Sequence, residues 1–137
     1  MPESINHVAL LGRILIYVQN TMNLDQQLLV LDDLPGPIGS EKPPAISGFR
    51  PDIYAADVAK QTVIVGEAKT TWDLETEHSK AQYSAYVRHL ASFASPTLIL
   101  AVPWQLRVRA KTLLRLAIQE ANAPHVAPIV IDDMEEL

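Results

Sequence analysis

The sequence contains no cysteine. That rules out disulfides, zinc–thiolate centres and a cysteine nucleophile, and it fits a reducing cytosol. Nor is there an excess of basic residues. Eleven Lys and Arg stand against sixteen Asp and Glu, a formal net charge of −5. This balance argues against a protein that coats nucleic acid by bulk electrostatics, while leaving room for one that grips it locally. No apolar run approaches the roughly 20 residues needed to span a bilayer. The opening Met1-Pro2-Glu3-Ser4 lacks the basic start of a secretory signal. A cytoplasmic protein with no membrane contact is therefore expected. Gly-rich phosphate loops, nucleophile elbows and zinc-ligand spacings are all missing, as are internal repeats and low-complexity segments.

What remains is an ordinary globular composition, 48% hydrophobic and 20% charged over 137 residues. That length suits a single domain over 1–137 with a core of its own. Ile5, Val8, Leu11, Leu15 and Val18 recur at helical spacing and predict a helix over 4–20 that Ser4 can cap. Residues 27–32 read as a short strand. Pro35, Pro37, Pro43 and Pro44, with Gly36 and Gly39, make the next stretch a loop. Residues 50–56 and 62–69 read as a pair of strands, and a helix follows at 75–93. The run 97–102 is apolar throughout, as suits a strand buried on both faces. A second long helix occupies 104–121. The last strand, 126–131, carries Pro128 and belongs at a sheet edge. The order α-β-β-β-α-β-α-β predicts an α/β domain, a mixed sheet flanked by helices.

Side chains alternate faces along a strand, so Glu67 and Lys69 share one face while Gly66 and Ala68 turn to the other, where small residues let a helix pack closely. In an antiparallel hairpin with its turn at Ala59-Lys60, Asp52 falls opposite Glu67 and projects to the same side. Gathering Asp, Glu and Lys in one place is costly unless they pair or bind metal. Two carboxylates with the Ala68 carbonyl nearby offer the hard oxygen donors that Mg²⁺ or Mn²⁺ prefers. Lys69 can orient a water, deprotonate it, or neutralise charge on a phosphodiester. The alternative reading of a Glu-x-Lys pair is a solvated strand face or a surface ion pair.

Gly48-Phe49-Arg50-Pro51-Asp52-Ile53 followed by Val63-Ile64-Val65-Gly66-Glu67-Ala68-Lys69-Thr70 resembles the motif pair of the PD-(D/E)XK nuclease superfamily. Gln82-Tyr83-Ser84-Ala85-Tyr86 resembles the Gln-x-x-x-Tyr element of its RecB-type members. Asp73-Leu74-Glu75 through His78 and Gln82 is similar to the virus-type replication-repair nucleases. The resemblance covers roughly residues 3–102. It implies a restriction-endonuclease-like fold and a Mg²⁺- or Mn²⁺-dependent nuclease that hydrolyses DNA phosphodiesters. Asp52 and Glu67, with Ala68, would hold the metal. Lys69 would be the catalytic lysine, Gln82 would face the metal site, and Tyr86 would share its helix face. Many members add a glutamate from the first helix. Here that residue would be Glu3, which reads equally as a carboxylate at a helix N-terminus. Small cores of this kind often form homodimers, and the resemblance implies the same here.

Three further features allow two readings each. Arg107, Lys111 and Arg115 form a basic stripe on the last helix, either a phosphate contact or a solvated face. Trp72 either stacks on a base or caps the core. His78, one turn before Gln82, either approaches the site or is simply exposed, and His7, His89 and His125 have no partner that the sequence reveals. Two rival functions remain beside the nuclease. One is a catalytically inactive nuclease-fold module for nucleic-acid binding or assembly. The other is a small-ligand or protein-binding domain whose Asp-Glu-Lys cluster is an ion-pair network.

Overall fold

The structure, a computed structural model, describes residues 5–22, 27–34 and 41–134. The expected cap at Ser4, the carboxylate Glu3, and Pro35 to Gly39 of the proline-rich loop lie outside the described residues. Helix α1 (Ile5–Tyr17) runs into a π-helical turn (Val18–Met22). Strands β1 (Leu29–Asp32), β2 (Ile53–Ala56) and β3 (Thr62–Ala68) follow. Helix α2 (Glu77–Leu90), β4 (Ser95–Val102), α3 (Arg107–Glu120) and β5 (Ala127–Asp132) complete the chain, with a short 3-10 turn at Trp104–Leu106 before α3. No helix among the described residues is long and apolar enough to cross a membrane.

All five strands form one sheet in the order β1-β2-β3-β4-β5. The first two junctions are antiparallel and the last two parallel. The fold is thus an α/β arrangement with a mixed sheet, in the element order that the periodicities predict. The β2–β3 register pairs Ile53 with Gly66 and Tyr54 with Val65. Extended by one residue, it sets Asp52 opposite Glu67, as the placement of the turn requires. Strand β4 is buried from Pro96 to Val102 and has a parallel neighbour on each side. Strand β5, which carries Pro128, lies at the edge.

Alternation along the strands sorts the core into two layers. Val63 and Val65 of β3, with Leu98, Leu100 and Val102 of β4, pack against α2 and α3. Ile53, Ile64, Ala68, Ile99 and Ala101 face Leu10, Leu11 and Ile14 of α1. Gly66 is what lets α1 settle on β3. A Cβ at that position would lie 3.0 Å from Ile14 Cγ2 and 3.3 Å from the Ile53 Cβ. Helix α2 begins later than its apolar spacing alone suggests, because Thr76 caps it by accepting a hydrogen bond from the Ser79 N–H. The same parity that sends Val63 and Val65 toward α2 and α3 sends Glu67 there as well. The carboxylate therefore sits at the C-terminal end of a central strand, under a helix.

Candidate active site

Four polar side chains meet where β3 and β4 end. Asp52, Glu67, Lys69 and Gln82 are 6%, 3%, 5% and 8% exposed. Four polar groups so far from water need partners, and each has them. Asp52 Oδ2 accepts a hydrogen bond from the Ala68 N–H at 2.8 Å, which ties the residue before β2 to the end of β3. Asp52 Oδ1 lies 3.2 Å from His7 Nε2 on α1. The Tyr86 hydroxyl donates to Glu67 Oε1 at 2.9 Å. Lys69 Nζ donates to Gln82 Oε1, lies 3.9 Å from Glu67 Oε2, and stands 6.0 Å from the centre of the Tyr83 ring. Tyr83 is anchored in turn by donation to the Leu74 carbonyl at 2.7 Å.

Local sequence explains each placement. Glu67 and Lys69 share a face because they are two apart on or just beyond β3, and Lys69 remains in the ladder through its N–H bond to the Ala101 carbonyl. Gln82 and Tyr86 lie one turn apart on α2 and so face the same way. Within a strand, a residue's N–H and C=O point to the same side. The Ala68 carbonyl is therefore on the side where its N–H meets Asp52, away from β4.

The electrostatics centre on Glu67. Its carboxyl is pushed well above the usual carboxylate range, first by burial and then by the negative charge of Asp52 and their mutual hydrogen bond. The Lys69 charge and the Tyr86 hydroxyl pull the other way. Tyr86 and Tyr83 are both raised, chiefly by burial, with the Glu67 charge contributing to each. Their hydroxyls thus stay protonated, and Tyr86 stays a donor.

The donor set fits Mg²⁺ or Mn²⁺ in one mode. Among the described residues, no group of three or more His, Asp or Glu side chains is arranged to hold an ion. Two carboxylates on one face, with a backbone carbonyl beside them, suit a cation that keeps waters and takes further oxygens from a phosphate. Glu67 also supplies a reason for binding. Two buried carboxylates share the site, and a dication would relieve the repulsion that raises the Glu67 pKa.

His7 is the member of this cluster that sequence reasoning missed. The resemblance points to a glutamate on the first helix, whereas α1 brings a histidine to Asp52. His78 rests edge-on against Phe49, ring centres 5.3 Å apart. His89 meets the Tyr54 hydroxyl at 2.9 Å, and His125 reaches the Ala91 carbonyl at 2.7 Å. The basic stripe is placed elsewhere. Arg107 pairs with Asp132 at 2.9 Å, and Lys111 and Arg115 border a separate cleft beside Pro124 and Pro128. Trp72 is 89% exposed, which removes the core-capping reading.

Comparison with family models and with curated proteins returns no match. Among solved structures, one chain of the CdiA-CT/CdiI toxin and immunity complex from Yersinia pseudotuberculosis is similar over 72% of this chain and 91% of its own. The two are 18% identical, with a TM-score of 0.44, a likeness that shows neither family nor activity.

Proposed function

We propose that this chain is a metal-dependent nuclease of the PD-(D/E)XK kind, hydrolysing DNA phosphodiester bonds in a restriction-endonuclease-like fold. The observation that carries this reading is the convergence of Asp52, Glu67 and Lys69 in one nearly buried cluster. A solvated strand face does not hide two carboxylates and an ammonium group together. Asp52 and Glu67 would hold Mg²⁺ or Mn²⁺ together with the Ala68 carbonyl. When bound, such an ion lowers the pKa of a water and braces charge on the phosphate.

The chain's own groups do the rest. Tyr86 donates to Glu67 and favours its ionised, ligating form. Ala68 and His7 fix the rotation of the Asp52 carboxylate. Gln82 holds the Lys69 amine at the mouth of the cluster, where the lysine would orient the attacking water and offset charge on the scissile phosphate.

A second reading, an inactive module of the same fold, draws on another observation. Both Asp52 oxygens already have protein partners, and no buried side-chain polar atom among the described residues lacks one. An ion-pair network of that kind would need no metal. Thermal melting with and without Mg²⁺ separates the two readings. An ion at a hundredfold excess over its Kd adds about 2.7 kcal/mol to the native state, several degrees of Tm for a domain of this size. The nuclease reading expects that rise. An unchanged Tm at millimolar Mg²⁺ would favour the inactive module.

A further inference from the structure

Trp72 lies three residues beyond Lys69 and presents its indole almost entirely to water. An indole with its faces open to water is free to take a stacked base. Beside it opens a cleft of about 560 Å³, lined by Asn6 and Arg13 of α1, by Thr70 and Thr71, and by Pro103 at the end of β4. The cleft and the carboxylate cluster adjoin along the chain at two places. Asn6 lines the cleft and its neighbour His7 reaches Asp52. Thr70 lines the cleft and its neighbour Lys69 stands 3.9 Å from Glu67.

The segment carrying the tryptophan is braced. The Thr70 N–H donates to Asp73 Oδ1 at 2.6 Å, and the Thr70 hydroxyl reaches the same oxygen at 3.1 Å. The Asp73 N–H closes the turn onto the Thr70 carbonyl at 3.3 Å. Across the cleft, Arg13 is held by donation from Nε to the Asp132 carbonyl at 2.9 Å. A flat apolar platform thus stands on a fixed turn, beside a cleft lined by polar groups and by charges of both signs, Arg13 and Asp133, three residues along the chain from Lys69.

We propose that Trp72 is a base-stacking residue, and that the cleft beside it receives one unpaired nucleotide of a DNA strand whose phosphate lies at the Asp52–Glu67–Lys69 cluster. The inference rests on the nuclease reading and adds a substrate class to it: single-stranded or frayed DNA. Size favours an unpaired base, because the cleft suits a nucleotide and not a duplex. Charge points the same way. A chain with a net charge of −5 has little with which to attract a duplex over a long footprint, whereas stacking holds single strands through the faces of their bases. A base must leave its pair before an indole can cover that face.

The test reads binding without cleavage, in EDTA, so an inactive enzyme leaves it intact. The chain has two tryptophans, Trp72 and Trp104. Trp104→Phe makes Trp72 the sole indole reporter. Titration with oligo(dT) should quench its emission to saturation, while a blunt duplex of equal length should quench far less. Trp72→Ala should weaken oligo(dT) binding, followed by anisotropy of a labelled strand, by about tenfold, the scale of losing one stacked base. Trp72→Phe should recover most of the loss, and both variants should melt like wild type because the side chain is exposed. Emission that ignores oligo(dT), quenching by duplex equal to that by single strand, or tighter binding of oligo(U) than of oligo(dT) would each overturn the proposal. If cleavage of DNA persists at full rate in Trp72→Ala and emission is unmoved, the stacking role fails while the nuclease reading stands.

Discussion

Asp52→Asn should abolish cleavage, with an expected loss of roughly 10³-fold or more, on the scale of removing a group that acts in the transition state. Yet the substitution should leave the metal-free protein folded and no less stable. The amide keeps the size of the carboxylate and can still accept from the Ala68 N–H with its oxygen. What disappears is one of two buried negative charges. The pull of Asp52 is among the causes that raise Glu67, second only to burial. In Asp52→Asn the Glu67 carboxyl therefore moves back toward its ordinary range. This has a readable consequence in pH. A carboxyl raised in the folded state keeps its proton where the unfolded chain has lost it. Its contribution to stability is then complete below the unfolded pKa, near 4.3, and fades as pH climbs through the folded value. Metal-free wild type should lose stability over that rise, and Asp52→Asn should lose less. Urea melts at several pH values in EDTA, run beside a plasmid-cleavage assay, check both halves. A variant that cuts at the wild-type rate would mean the active site lies elsewhere.

Lys69→Ala should also abolish cleavage, again by roughly 10³-fold, while sparing most of the metal affinity. The lysine is not an oxygen donor. It sits 3.9 Å from Glu67 and is held by Gln82, so its charge serves the water or the phosphate rather than the ion. One secondary effect follows. The Lys69 charge helps hold the Glu67 pKa down, so its removal raises Glu67 further and makes metal binding more sensitive to acid. Calorimetric Mg²⁺ titration at two pH values detects this. An affinity near wild type at the higher pH and a clear loss at the lower one is the expected pattern. Complete loss at both would make Lys69 a structural support of the metal site and not a catalytic group.

Much of this site is legible in the sequence alone, because strand geometry is nearly deterministic once two elements and a turn are recognised. The parity of Glu67 and Lys69, the pairing of Asp52 with Glu67, and the close approach permitted at Gly66 all follow from a period of two. Gln82 is placed at the site by the family resemblance alone, and the helical repeat then sets Tyr86 on the same face. His7 was not legible. Its partner Asp52 is 45 residues away, and the packing of α1 on the sheet, which brings them together, is a tertiary outcome with no local signature. Arg107 shows the opposite failing. A basic stripe at helical spacing is visible in the sequence, but its partner Asp132, on the next strand, is not. Element ends shifted for similar reasons. Thr76 caps α2, and a 3-10 turn at Trp104–Leu106 takes up the start of what periodicity alone assigns to α3. The π-helical turn Val18–Met22 has no sequence signal that we can identify.

The most direct measurement is cleavage itself. Purified wild-type protein is incubated with linear, circular, single-stranded and branched DNA, in Mg²⁺, in Mn²⁺ and in EDTA. A metal-dependent nuclease centred on Asp52, Glu67 and Lys69 cuts at least one of these substrates with either ion, stops in EDTA, and loses activity in both Asp52→Asn and Lys69→Ala. Cutting that continues in EDTA, or no cutting of any substrate with either ion, would contradict the account.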